Sequence, residues 1–395
     1  MSNSRKPLYP IYFDHAATTP MLAVAKSALV DQMDKVGNAS SLHTPGRAVR
    51  KDVEEARESL SRLVGSAPSE IIFTGSGTEA NNLAIKGFYW HRRNADPARK
   101  IVVISEFEHH AVLDPVEWLA EHEGAEVIRI PILPTGFVDL DFLRKVVAQR
   151  GSEIAVIALM HSNNEIGTIQ PILEVVDIAG DIPVHSDAVQ SFGKVDFSFS
   201  ELGLTSATIS AHKIGGPLGV AALILKRGLD LTPILHGGGQ ERDIRSGTLN
   251  APAIVSFVAA AKFALAHRGE NRDRIRDLKR NLTRSIREQI PDIWVNGGGE
   301  PSLPGILNVT FPGTESDGLL LLLDAEGIAC STGSACSAGV PRPSHVLLAM
   351  GLSDRDAQSS LRFSLGVSNT PAEIDKFASV IKSVVDRARA ALVRG

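Results

Sequence analysis

The feature that most restricts how this chain can fold is a succession of short apolar runs separated by stretches of helical periodicity. The runs are Ile71 to Phe73, Ile101 to Ile104, Val127 to Ile130, Ile154 to Leu159, Ile182 to His185, Ala207 to Ser210 and Val220 to Leu225. Such alternation is the signature of a mostly parallel sheet with helices on both faces, so the expected class is α/β with a seven-stranded sheet. Helical spacing from Leu22 to Met33 and from Arg47 to Val64, with Pro20 and Pro45 where helices begin, places two helices ahead of the sheet.

After Ala251 the pattern changes. A long helical stretch to Ala266 leads into a charged helix from Asn271 to Ile290, whose Arg and Lys read as solvated surface. Ile306 to Phe311, Gly318 to Leu323 and Leu361 to Leu365 suggest a smaller α+β unit, closed by a terminal helix from Pro371 to Leu392. The expected division is a large domain over residues 15–260 and a small domain made of residues 1–14 and 261–395. A length of 395 residues, 43% of them hydrophobic, is ample for both cores. The formal net charge of -4 and the scattered Lys and Arg give no footprint for nucleic acid. The opening MSNSRKPLYPIYFDH lacks a signal-peptide core, and no apolar run reaches the roughly 18 residues of a spanning helix. A cytoplasmic chain with no membrane partner is expected.

The chemistry gathers where predicted strands end. In SATISAHKIGGPLG, Lys213 stands between Ala207 and Ile209 on one side and the run Val220 to Leu225 on the other. An amine among such neighbours loses hydration, which favours its neutral, nucleophilic form. Gly215, Gly216 and Gly219 let the backbone approach a ligand, and Ser210 and His212 add hydrogen-bonding groups. A Schiff base with pyridoxal 5'-phosphate (PLP) suits this setting. A solvated lysine at a strand end is the plainer alternative for the dipeptide by itself.

Other strand ends weigh on that choice. The turn TGSGTEANNLAIKG, leading into a helix from near Thr78, points free N–H groups at an anion, so Gly77 and Thr78 are phosphate candidates. Such a turn also serves simply as a helix cap, and neither the G-x-G-x-x-G spacing nor a following Gly-Lys-Ser/Thr is present. In SEFEHHAVL, His109 could stack on a flat cofactor ring; a metal would need further converging ligands, and His110 reads equally as a helix cap. Asp187, in HSDAVQS, is a carboxylate among apolar neighbours and needs a cation, which a protonated pyridine nitrogen supplies; Gln190 then faces the ring oxygen.

Only two cysteines occur. Cys330 follows Ile328 and Ala329 and reads as structural, whereas Cys336 lies in the pliable GSACSAG and is the candidate nucleophile. The glycine-rich HGGGQERDIRSGT reads as a loop that moves or reaches a neighbour.

Taken in order, DHAATTP, GSGTEANNLAIKG, EHHAVL, NNEIG, DAVQS, SAHKIGGPLG, GGGQER, RSGT and GSACSAG resemble the cysteine desulfurases of the IscS/NifS type, over nearly the whole chain from Tyr12 to Gly366. The resemblance implies the type I PLP-dependent aminotransferase fold, a homodimer, and PLP bound through Lys213. It implies His109 stacked on the ring, Asp187 at the pyridine nitrogen, Asn164 and Gln190 on the ring-oxygen side, and Gly77, Thr78, Ser210 and His212 at the phosphate. Thr248 would reach in from the second subunit. Arg362, in SSLRFSLG, would grip the carboxylate of L-cysteine, with Asn164 beside it, and Cys336 would accept the sulfur for iron–sulfur cluster assembly or tRNA thiolation through an acceptor protein. Two positions depart from the family habit: Ala211, where glycine is frequent, and Gly215, where an aromatic residue is frequent. A selenocysteine lyase, another PLP lyase or aminotransferase, a non-enzymatic scaffold for iron–sulfur assembly proteins and a nucleotide-dependent oxidoreductase are the rival readings. No metal site is expected.

Overall fold

A computed structural model describes residues 11–333 and 342–394. Among these, seven strands form the central sheet: β1 (Ile71–Thr74), β2 (Ile101–Ser105), β3 (Glu126–Ile130), β4 (Ile154–Ala158), β5 (Val184–Asp187), β6 (Ser206–Ser210) and β7 (Ala221–Leu225). Their order is β1-β7-β6-β5-β4-β2-β3, and β7 runs antiparallel to both of its neighbours. β2, β4, β6 and β7 are buried along their whole length, as expected of apolar strands covered on both faces.

The helices that cover the sheet are α1 (Ala23–Met33), α2 (Thr44–Val64), α3 (Gly77–Ala95), α4 (His110–Glu123), α5 (Leu140–Arg150), α6 (Ile172–Ala179) and α7 (Ala251–Ala266). Alternate residues of each strand feed different layers: Ile71 and Phe73 join a core with α2 and α7, while Ile72 joins one with α3 and α4. A further helix, α8 (Arg268–Gln289), turns Ile275, Leu278, Leu282 and Ile286 inward and leaves its charges outside. It packs on an antiparallel sheet of β8 (Trp294–Asn296), β9 (Ile306–Thr310) and β10 (Ser360–Ser364), together with Phe13, Phe363 and Phe377.

Several elements differ from the sequence expectation. β5 starts at Val184, because Pro183 has no N–H for the ladder, and its far end reaches Asp187. The terminal helix is two helices, Pro371–Ala378 and Ile381–Arg394, parted where the Ser379 hydroxyl bonds back to Lys376 O. Gly318 to Leu323 lies inside a helix, Ser316–Ala325, and the three-residue β8 is too short to give a pattern. Among the described residues no helix is long and apolar enough to cross a membrane.

The free edge of β1 is closed by a buried ion pair. Arg57 and Glu241 meet at 2.6 Å, Arg57 Nη1 donates to Ile71 O at 2.8 Å, and Phe73 N donates to Glu241 Oε2 at 2.9 Å. The pair thus satisfies the outward backbone groups that an edge strand would otherwise expose. Glu241→Ala should therefore destabilise the protein by about 3–5 kcal/mol, since it removes the buried partner of Arg57 and leaves that guanidinium only the exposed Glu54 at 3.1 Å. Chemical denaturation checks this; a loss under about 1 kcal/mol, the surface-pair range, would show the edge is held otherwise.

Candidate active site

The carboxyl ends of β1, β2, β4, β5 and β6 open onto one cavity of about 300 Å³, the usual place for a ligand in an open α/β sheet. Gly77, Thr78, His109, Asn164, Asp187, Gln190, Ser210, His212 and Lys213 all line it. Two predicted residues do not. Thr248 is exposed on the loop before α7, away from the cavity of its own chain, and Arg362 sits behind the wall on β10. Cys336 lies outside the described residues.

Lys213 occupies a single 3-10 turn, Ala211–Ile214, that follows β6 directly. Its Nζ donates to Ala16 O at 2.6 Å and to Ala17 O at 2.8 Å. Burial, seconded by the nearby Arg362 charge, pulls the amine down to about 8, against the opposing influence of Asp187 and Asp14. Gly215 ends the turn at φ +81°, and a Cβ there would lie 2.6 Å from Leu22 Cγ. Both facts require glycine in this chain, which accounts for its departure from the aromatic residue frequent in the resembling family.

At the floor, Asp187 Oδ2 accepts from Asn81 Nδ2 at 2.7 Å and Oδ1 accepts from Val189 N at 2.9 Å. Asn81 Oδ1 in turn meets His185 Nε2 at 2.9 Å, and His185 Nδ1 meets Ser206 Oγ at 2.8 Å. Burial pulls His185 down to about 3, so its ring is neutral and the relay brings no positive charge to Asp187. The carboxylate is oriented by neutral donors. Asn81 was invisible as a site residue in the sequence, because one asparagine on a helix carries no periodic signal; its position one turn after Gly77 was the available clue.

At the opposite wall, α3 starts at Gly77 with Ser76 as its cap, the Ser76 side chain accepting from Glu79 N at 3.1 Å. The N–H groups of Gly77 and Thr78 are left for an anion. A Cβ on Gly77 would lie 3.2 Å from Val189 Cγ2, so glycine keeps this corner open. His109, and not His110, caps α4: its Nδ1 accepts from Ala111 N at 3.0 Å. The proton of the neutral ring therefore sits on Nε2, and its pKa is lowered, by desolvation first.

Behind the wall, Arg362 Nη2 donates to Asp14 Oδ1 at 2.7 Å and Nη1 to Asn164 O at 3.1 Å. Its buried Nε has no partner among the described residues. Cys330 is buried in the core of the small unit, and burial pushes its thiol up to about 12, so at neutral pH it stays protonated and inert. Among the described residues no cluster of His, Cys, Asp and Glu could hold a metal.

Comparison with known proteins agrees with this geometry. Residues 11–377 match the aminotransferase class-V family. The chain belongs to that family. An IscS-like cysteine desulfurase of Mycobacterium tuberculosis is 48% identical over 383 residues, covering 96% of this chain and 97% of the relative. Among solved structures, a NifS-like protein superposes with a TM-score of 0.88 at 34% identity, covering 96% of this chain and all of that one. A protein titled SspA in complex with cysteine gives a TM-score of 0.76 at 31% identity, over 91% of this chain and 100% of that one. PLP is the cofactor of this class-V enzyme, and the cavity fits it: a carboxylate held by neutral donors, an open helix N-terminus and a desolvated amine face one space.

The lowered Lys213 pKa gives a signed prediction. The neutral amine is the reactive form, so capture of PLP by cofactor-free protein should speed up as pH rises and level off above about 8. Stopped-flow absorbance checks this; a rate still climbing toward about 10.4, the ordinary lysine value, would contradict the desolvation account.

Proposed function

We infer that this enzyme is a PLP-dependent cysteine desulfurase, which takes sulfur from L-cysteine, releases L-alanine and leaves a persulfide on Cys336. The convergence of Lys213, Asp187 and the α3 N-terminus on one cavity supports the reading most, together with desulfurase relatives matched over 96% of the chain. In the balance, the substrate C–S bond breaks, an S–S bond forms at Cys336, and the carbon that loses sulfur gains a proton.

When bound, PLP supplies an electron sink for bonds at the substrate's α-carbon. Lys213 would hold it, Asp187 would face the pyridine nitrogen, His109 would stack on the ring, and Asn164 and Gln190 would lie on the ring-oxygen side. Gly77, Thr78, Ser210 and His212 would take the phosphate, with Thr248 supplied by the second subunit of a homodimer. Lys213, whose amine is lowered to about 8, can take up and return a proton at Nζ near physiological pH. His109 holds its proton at Nε2 and so acts there as a donor. Arg362, whose Nε has no partner among the described residues, would bind the substrate carboxylate, and Asp14 and the Asn164 carbonyl fix the plane of its guanidinium. The division into a large domain of residues 15–260 and a small domain of 1–14 and 261–395 would put Arg362 and Cys336 on one body and Lys213 on the other. The persulfide sulfur then passes to an acceptor protein serving iron–sulfur cluster assembly or tRNA thiolation.

Cys336→Ser should retain PLP and bind L-cysteine, yet lose alanine formation by at least about a hundredfold, because the nucleophile is gone. Cys330→Ser should keep the activity. Mass spectrometry after brief exposure of the wild type to L-cysteine should find added sulfur on the Cys336 peptide. Alanine released by Cys336→Ser at the wild-type rate would replace the desulfurase with another PLP lyase.

A further inference from the structure

A second cavity, of about 80 Å³, lies behind Lys213, between the central sheet's layers and the small unit, and Lys194 lines it together with His15 and Ala16. Lys194 Nζ donates to Gln190 Oε1 at 2.9 Å. Gln190 Nε2 donates to Ala16 O at 2.8 Å, and the same carbonyl accepts from Lys213 Nζ at 2.6 Å. Gln190 itself lines the larger cavity.

A glutamine amide can be turned either way, and its neighbours decide which end is oxygen. Here both decide alike. An ammonium has only donors, so it requires Oε1; a peptide carbonyl only accepts, so it requires Nε2. Ala16 takes one of the two N–H groups of that nitrogen, and one remains.

We propose that Lys194 is a positioning residue that locks the Gln190 amide, so that its remaining N–H, and not its carbonyl, is presented to the ring oxygen of PLP. The proposal rests on the reading of Gln190 as the ring-oxygen partner. Without Lys194 only the Ala16 carbonyl holds the amide, so the turned form, whose carbonyl would repel an anionic ring oxygen, is less strongly disfavoured. Nothing in the sequence pointed to Lys194, four residues from a predicted site residue in a turn with no periodic pattern.

The lock requires Lys194 in its charged form, because a neutral amine could also accept from the amide. Burial first, then the charges of Lys213 and Arg362, lower the Lys194 amine to about 7. His15 and His212 feel its charge in turn, and burial holds each of them down to about 4, so both rings are neutral near pH 7. Lys194 therefore stands among cations and neutral groups, where the negative ring oxygen of the cofactor is the partner that would favour its charged form.

The test uses holoenzyme and the pH midpoint of the bound cofactor's visible absorption change. A ring oxygen that loses a donor becomes more basic, so Lys194→Met should raise the midpoint by about half a unit to one unit, and Lys194→Arg should restore it. Lys194→Gln, which can donate or accept, should shift it in the same direction by less, and serves if Lys194→Met does not fold. Gln190→Ala should produce the rise alone, and adding Lys194→Met to it should add less than Lys194→Met adds to the wild type. An unmoved midpoint in Gln190→Ala would overturn the reading of Gln190 itself. A rise in Gln190→Ala, with none in Lys194→Met and Lys194→Gln, or with additive shifts in the double variant, would overturn the role of Lys194.

Discussion

The chemistry depends on keeping one amine away from water. Lys213 is held at the end of a buried strand, and its Nζ finds two backbone carbonyls, those of Ala16 and Ala17, in place of solvent. Carbonyl dipoles satisfy its hydrogens without supplying a full countercharge, so the cost of desolvation is only partly offset and the amine stays near the point of losing its proton. A carboxylate in the same place would raise its pKa and silence it.

That arrangement needs the segment Asp14 to Leu22 as much as the lysine. Asp14 pairs with Arg362, Ala16 N donates to Ser364 Oγ at 2.9 Å, Thr19 N donates to His212 O at 3.1 Å, and Leu22 N donates to Gly215 O at 2.9 Å. One short stretch thus ties β10 of the small sheet to the turn that carries Lys213. Gln190 joins the tie through Ala16 O, so its amide and the Lys213 amine share one acceptor. Asp187, meanwhile, is oriented by two neutral donors, Asn81 Nδ2 and Val189 N. An amine and a carboxylate thus line one cavity of about 300 Å³, the groups a bound cationic pyridine ring would need.

The sheet was legible because its strands are apolar runs with no other use: six of the seven expected runs overlap the observed strands closely, and the seventh slid past Pro183 toward Asp187. Strand ends were legible for the same reason, since polar residues just after an apolar run must sit where the sheet meets solvent or ligand. Residues that work from a helix or through another side chain were not. Asn81 and Lys194 act through Asp187 and Gln190, and sequence spacing records only what each element buries. The cap also changed hands between neighbours: His109 takes it because its backbone is extended while that of His110 is already helical. Thr248 marks the limit of one chain, as an exposed residue whose proposed partner is a second copy.

The most direct test of the account is to reduce the holoenzyme with borohydride and map the labelled peptide. The account predicts one covalently fixed cofactor per chain, on the peptide carrying Lys213, and no label on Lys194, whose amine is committed to Gln190. Label on any other lysine, or a purified protein that binds PLP without fixing it, would contradict the assignment of Lys213 and with it the arrangement built around that amine.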